Sequence, residues 1–224
     1  NINNKKFIEF GVENYTEANT RFLLQNDNWS GLILDCSNQN VNFIKKQDYY
    51  WKYDITAVHK FLSPENINGV IKSENFEGNV GLLSIDIDGN DYWILKAINV
   101  VKPDILIAEY NANFGAEKSV TIKYDKNFKR AKNGIEKLIY GCSLKALNNL
   151  CNDKGYSLVC SNKNGNNAFF VKKDLLNDKI KAIDIDKAFK KNSFKENFDR
   201  SGYPHKISND DYQKILSSKN IVQI

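Results

Sequence analysis

Val80-Gly-Leu-Leu-Ser-Ile-Asp-Ile-Asp-Gly-Asn-Asp91 decides how this chain folds. Its first half is an apolar run ending at Asp86, the pattern of a strand buried on both faces. Asp88-Gly89 then supplies turn residues, and Asn90 to Ile98 resumes helical spacing. Strand, turn and helix in that order make half of a βαβ unit, which needs a further strand beside the first. Pro103-Asp-Ile-Leu-Ile-Ala-Glu-Tyr110 is that strand.

The same alternation extends toward the N-terminus. Lys6-Phe-Ile-Glu-Phe10 is an apolar run closed by Gly11, and Tyr15 to Gln25 is helix-like, with Ala18, Phe22 and Leu23 on one face. Gly31-Leu-Ile-Leu-Asp35 reads as the second strand, Asn38 to Lys46 as the next helix, and Asp54 to Phe61 contains a third strand. Ser63-Pro64 predicts a helix with proline at its first position, running to about Lys72. Toward the C-terminus, Asn111 to Gly141 has few periodic apolar residues and forms a long excursion, of the kind that covers a site. Ser143 to Asp153 is helical, with Leu144, Leu147, Leu150 and Cys151 on one face. Tyr156 to Cys160 and Asn167 to Val171 flank a polar Asn-Gly turn and predict an antiparallel hairpin at a sheet edge. From Lys172 onward the chain is charged and weakly patterned, suited to short helices and a tail.

Composition narrows the function classes. The 224 residues carry 32 Lys+Arg against 27 Asp+Glu, a net charge of +5. The basic residues alternate with acids, as in Lys179 to Lys195, which is a solvated surface and not a nucleic-acid footprint. Four cysteines lack CxxC or metal-ligand spacing, and Cys142, Cys151 and Cys160 fall in apolar patterns that predict core packing. With no apolar run near the roughly 20 residues of a membrane span and a polar start, NINNKK, the expectation is a reduced, cytoplasmic protein. Asn makes up about one residue in seven, a bias read as compositional.

In an open parallel sheet, ligands bind outside the carboxyl ends of the strands. Acidic or amide residues stand there repeatedly: Glu9 to Asn14, Asp35, Ser63 to Asn66, Asp86 to Asp91, and Glu109 to Asn113. The first tip has a single glycine, Gly11, so the GxGxxG fingerprint is absent and Glu13 adds negative charge; pyrophosphate binding is disfavoured, whereas a nucleoside is compatible. Asp35, 24 residues beyond Gly11, stands where a carboxylate accepts hydrogen bonds from ribose hydroxyls, or where it caps a helix. A period of two points Asp86 and Asp88 the same way, and Glu109 and Asn111 repeat the pattern on the next strand. Such crowded oxygens call for a shared proton, a cationic group or a hard divalent ion such as Mg2+. Turn chemistry at Asp88 and helix capping at Asp91 are the alternative. His59 and His205 are the only imidazoles; His59, near the third tip, is the better candidate for a general base. Gly-x-Ser-x-Gly, Walker and HExxH patterns are all missing.

At these residues the chain resembles the class I S-adenosylmethionine-dependent methyltransferases, and more narrowly their FkbM-like branch. The resemblance covers about residues 5 to 175 and rests on Phe7-Ile-Glu-Phe-Gly11, Leu83-Ser-Ile-Asp-Ile-Asp-Gly-Asn-Asp-Tyr-Trp93, Ile107-Ala-Glu-Tyr-Asn111 with Phe114-Gly115, Tyr140-Gly-Cys-Ser-Leu144, and Gly155-Tyr-Ser-Leu-Val159 leading into Asn167-Ala-Phe-Phe-Val171. It implies an α/β, Rossmann-like, seven-stranded, mostly parallel sheet whose last two strands form the C-terminal antiparallel hairpin. It also implies one methyltransferase domain at 1–175, an acceptor cover at about 111–141, and a charged extension at 176–224 packed on that domain. By position, Glu9 and Gly11 resemble the first cofactor motif, Asp35 the acid that holds the ribose diol, Ser63 the residue near the adenine, and Asp86 the motif near the methyl group. In metal-dependent members an ion sits between the fourth and fifth tips, where Asp86, Asp88, Glu109 and Asn111 stand. The first loop departs from the family, having one glycine where many members have two or three.

The expected activity is O-methylation of a small or carbohydrate-linked acceptor, with Asp88 or His59 as base. Tyr124, Phe128, Lys129 and Arg130 of the cover would lie over that acceptor and favour an acidic or phosphorylated one. Surface-polysaccharide or secondary-metabolite biosynthesis is the setting the resemblance implies. Two other readings stay open: a non-catalytic descendant binding a nucleoside or partner, and a metal-dependent hydrolase using the acidic cluster.

Overall fold

The computed structural model describes residues 2–131, 135–191 and 208–224. His205 and the end of the Lys179 to Lys195 stretch lie outside these residues. The strands are β1 (Lys6–Phe10), β2 (Ser30–Asp35), β3 (Ile55–His59), β4 (Gly78–Ile85), β5 (Val101–Glu109), β6 (Val120–Ile122), β7 (Tyr156–Ser161), β8 (Asn167–Lys172) and β9 (Ile221–Gln223). Seven of them form one α/β, Rossmann-like sheet of order β3-β2-β1-β4-β5-β8-β7, and β6 pairs with β9 in a second sheet. β1 runs parallel to β2 and β4, β2 runs parallel to β3, and β7 and β8 are antiparallel. This is the sheet, hairpin included, that the sequence predicts. Among the described residues no helix is long and apolar enough to cross a membrane.

The chain divides into two compact units. The first, Asn1–Ile87 with Trp93–Ile107, holds β1 to β4 and most of β5. Its helices are α1 (Arg21–Asp27), α2 (Asn38–Lys45), α3 (Asp48–Lys52), α4 (Ile67–Ser73) and α5 (Asp91–Ala97, from Trp93). Phe7, Ile8 and Phe10 of β1 are wholly buried, as are Leu32 and Leu34 of β2 and Ile85 of β4. Continuous burial of consecutive residues is what a central parallel strand requires, since helices cover both of its faces. Leu24, Ile44, Ile67, Ile71 and Ile94 supply those faces from α1, α2, α4 and α5.

Two helices start later than their patterns suggest. The segment 15–20 is not helical, because Glu13 and Tyr15 take left-handed backbone (φ 47° and 62°) and the Glu9 carboxylate binds the amides of Asn19 and Thr20. Only beyond that anchor can α1 begin. At the third tip, Ser63 O accepts from the amides of Asn66 and Ile67, so Ser63 to Asn66 is a turn and Pro64 precedes α4 instead of opening it.

The second unit, Asp88–Tyr92 with Ala108–Ile224, holds β6 to β9 and the helices α6 (Leu144–Asp153), α7 (Ile185–Ala188) and α8 (Asn209–Leu216). Ser143 caps α6 by accepting from the Ala146 amide (3.1 Å), and Leu144, Leu147, Leu150 and Cys151 bury the face its spacing defines. The 111–141 excursion is more structured than its composition suggests. Phe114, Val120, Ile122, Leu138, Ile139 and Ile215 of α8 make a small core of their own. β6 pairs with β9 in register Val120↔Gln223, and Tyr212 of α8 donates to Phe114 O (3.2 Å). Within this unit the tail therefore completes the excursion's core. Cys142 and Cys151 are buried as predicted, but Cys160 is exposed: the register between β7 and β8 slips between Leu158 and Cys160, and the bulge turns that side chain outward.

Ile8, flanked by β2 and β4, tests the core of the first unit. Ile8→Ala should cost about 2–5 kcal/mol in urea unfolding; a loss below about 1 kcal/mol would mean the strand is not packed as described.

Candidate active site

The site-forming loop of the first unit is built around Gly11. Its φ of +73° suits glycine, and a Cβ placed there would lie 1.5 Å from the Asp86 carbonyl oxygen. The amide of Gly11 donates to Leu34 O (2.9 Å), and the amide of Asp86 donates to Phe10 O (3.2 Å). The end of β1 is thus clasped between the ends of β2 and β4, which sets the backbone of three tips with no free adjustment.

Asp35 sits at the end of β2, 6% exposed. Its Oδ2 accepts from the Glu13 amide (2.8 Å), and its Oδ1 accepts from the Ser37 amide (2.7 Å) and Asn40 Nδ2 (3.2 Å). One carboxylate so holds the first loop and the start of α2 at once. A carboxylate offers about four acceptor positions, so three donors leave room for one more from a hydroxyl. The first loop is therefore folded down on the acid that the sequence assigns to the ribose.

Glu9 is buried, and both its oxygens face protein donors: Asn19 N on Oε1 (2.8 Å), Thr20 N (3.1 Å) and the Thr20 hydroxyl on Oε2. Tyr15 Oη and Thr20 Oγ1 lie 2.9 Å apart and extend the network. Glu9 thus organises the loop through its side chain. Burial pushes its carboxyl above the ordinary value, partly offset by those hydrogen bonds. His59 pairs in register with Asp35, and its Nε2 lies 3.1 Å from Cys36 O. Ser63 is partly buried in the turn before α4, its amide bonded to Asn66 Oδ1 (2.9 Å). Asp86 is partly exposed beyond β4.

In the second unit, Asp88 is in left-handed backbone (φ 56°), which ends the period of two that would aim it with Asp86. Its Oδ1 instead meets Arg130 Nη1 at 2.7 Å. Asp91 Oδ2 accepts from the Gly89 amide (2.8 Å), which braces the turn before α5. Glu109 is buried at the end of β5. Asn111 directs its amide group to Leu138 O (2.8 Å) and Tyr140 O (2.9 Å) and accepts from Asn113 N (3.0 Å). Its role is to fasten the excursion.

The divalent-ion expectation finds no support in this arrangement. Among the described residues no group of three or more His, Cys, Asp or Glu side chains is placed to hold a metal. Asp88 is paired with a guanidinium and Asn111 is engaged with backbone, so these two side chains are not offered to an ion.

Sequence reasoning singled out Arg130 only as one of several basic residues. Its guanidinium stacks on Tyr140 at 3.8 Å and its Nε donates to Lys137 O (3.1 Å). No periodicity could have placed it beside Asp88, 42 residues away.

No family model matches the chain, and no curated protein matches it. Among solved structures it is similar to the methyltransferase domain of bacterial CtHen1-C, with TM-score 0.46, 11% identity, and coverage of 76% of this chain and 91% of that one. It is also similar to an O-methyltransferase family protein from Burkholderia thailandensis (TM-score 0.48, 11% identity, 75% of this chain and 50% of that one). A third is the O-methyltransferase from Bacillus cereus in complex with SAH (TM-score 0.47, 14% identity, 75% and 74%). Similarity this distant leaves the reading of this chain to its own residues.

Glu9 gives a pH test. A carboxyl raised in the folded state binds its proton more tightly folded than unfolded, so its ionisation costs stability as pH rises from the unfolded value through the folded one. Glu9→Gln carries no such charge. The stability of wild type minus that of Glu9→Gln, from urea unfolding, should fall as the pH rises above the ordinary carboxyl value of about 4.3; a flat or rising difference contradicts the raised value.

Proposed function

We propose that this chain is an S-adenosylmethionine-dependent O-methyltransferase of the FkbM-like branch, acting in the cytoplasm on a hydroxyl or phosphate oxygen of a small or carbohydrate-linked acceptor, in surface-polysaccharide or secondary-metabolite biosynthesis. The observation that carries this reading is Asp35: a buried carboxylate at the end of β2, pinned to a loop whose Gly11 turn crosses the end of β4. A hydroxyl-rich, phosphate-free ligand such as a nucleoside suits an acid there.

In this reading Asp35 accepts from the ribose, Gly11 lets the backbone pass beside the methionine part, and Glu9 keeps the loop in shape behind it. Ser63 lies toward the adenine and Asp86 toward the methyl group. The bound cofactor supplies an electrophilic methyl carbon on a sulfonium sulfur, which an acceptor oxygen takes by displacement. Asp88, the more exposed partner of its ion pair, receives the acceptor's proton, and His59, tied to Cys36 O beside Asp35, is the second candidate. Holding the acceptor in line is where the 111–141 cover contributes most. The methyltransferase domain is taken as 1–175, with 176–224 an extension of it.

One observation favours the non-catalytic reading. Glu13 N already occupies Asp35 in a loop with two non-glycine residues at positive φ, so one acceptor position is left for a diol that would use two, and the loop must yield for the second hydroxyl.

Titration calorimetry with S-adenosylhomocysteine separates the two. The wild type should bind it, and Asp35→Asn should weaken binding by about tenfold or more, the size of charge-assisted hydrogen bonds to the diol. No binding to wild type sinks the methyltransferase reading, and equal binding by Asp35→Asn sinks the ribose assignment.

A further inference from the structure

Within the second unit, a set of contacts converges on the Asp88–Asp91 loop. Asn90 Nδ2 donates to Asp125 O (2.9 Å), and Gly141 N donates to Gly89 O (3.1 Å). Phe128 packs so closely on Gly89 that a Cβ there would lie 2.4 Å from its ring. Arg130 completes the set. Its guanidinium lies on the Tyr140 ring, Tyr140 is buried, and Nε is fixed by Lys137 O, so the plane of the fork is set by groups other than Asp88. A guanidinium held by stacking and by Nε is preorganised to offer Nη1 to an oxygen of an anion. The Nη1 edge now meets Asp88 Oδ1, whose side chain is 59% exposed against 23% for Arg130. The cation is held and the carboxylate is at the solvent edge, so the exchangeable partner is Asp88. A surface pair of this kind is worth at most about a fivefold factor in an equilibrium, a small barrier to a competing anion.

We propose that Arg130 reads an oxyanion, a phosphate or carboxylate, on the methyl acceptor, and that this oxyanion displaces Asp88 from the guanidinium. The displaced Asp88 carboxylate then faces the acceptor unneutralised, which couples acceptor recognition to release of the candidate base. Arg130 is thus a specificity-determining residue. The inference rests on the methyltransferase reading only for what carries the oxyanion; the anion site itself stands on the contacts around Arg130.

The test is an NMR titration of the full chain, following the Gly89 amide and the Arg130 Nε signal, with inorganic phosphate in one arm and acetate in the other. Wild type should saturate with at least one of the two, and the tighter anion names the group. Asp88→Asn, which removes the competing carboxylate, should tighten that anion by about three- to fivefold, and Arg130→Gln should abolish the response. A gain of affinity cannot come from misfolding, so Asp88→Asn keeps the test decisive if Arg130→Gln proves unstable. Unchanged anion affinity in Asp88→Asn, a wild-type response that persists in Arg130→Gln, or no wild-type response to either anion overturns the proposal. S-adenosylhomocysteine binding to wild type is read separately: its absence would defeat the methyltransferase reading while leaving the anion result to stand.

Discussion

Gly11 has no side chain because the carbonyl of Asp86 lies where one would be. Much of the candidate site follows from that contact. It fixes the end of β1 against the end of β4, while the Gly11 amide ties the same residue to β2 through Leu34 O. With three strand ends locked, the loop beyond Gly11 has one direction to leave in, and it passes over Asp35. The Glu9 carboxylate, buried and ringed by donors from Asn19 and Thr20, holds the far side of that loop and delays α1. A buried acid of this kind is tolerated because its oxygens are hydrogen-bonded, and burial still raises its proton affinity.

The second unit shows how an irregular sequence can carry a small core. The residues 111–141 look loop-like, since their apolar positions follow no period. Phe114, Val120, Ile122, Leu138 and Ile139 nevertheless cluster, and Ile215 from α8 and the pairing of β9 with β6 complete the cluster. This core carries Phe128 and Arg130 to the Asp88–Asp91 loop. Asp88 and Arg130 thereby become one chemical unit, with the carboxylate poised between a guanidinium and solvent.

What was legible in the sequence follows the range of the forces involved. The apolar runs at 6–10, 31–35, 80–86 and 103–110 report burial on both faces, a property of each residue's own position, and they give the sheet directly. Ser143 before an apolar periodic segment likewise marks α6, because capping is local. Asp35 could be picked out by its place at a strand end. The late start of α1 was hidden, since it depends on Glu9 reaching residues ten and eleven positions away. The period of two read through Asp86 and Asp88 misleads for a similar reason: β4 has already ended at Ile85, and Asp88 turns left-handed. Arg130 and β9 find their partners across 42 and about 100 residues, and no local pattern encodes such pairings.

The proposed cofactor site is the Gly11 loop with Asp35. The amides of Glu13 and Ser37 both donate to the Asp35 carboxylate, so their NMR signals report on that group. When S-adenosylhomocysteine is added to the isotope-labelled chain, these two amides should shift together and saturate with the same affinity. Saturable binding that moves other amides and leaves Glu13 and Ser37 in place would contradict it.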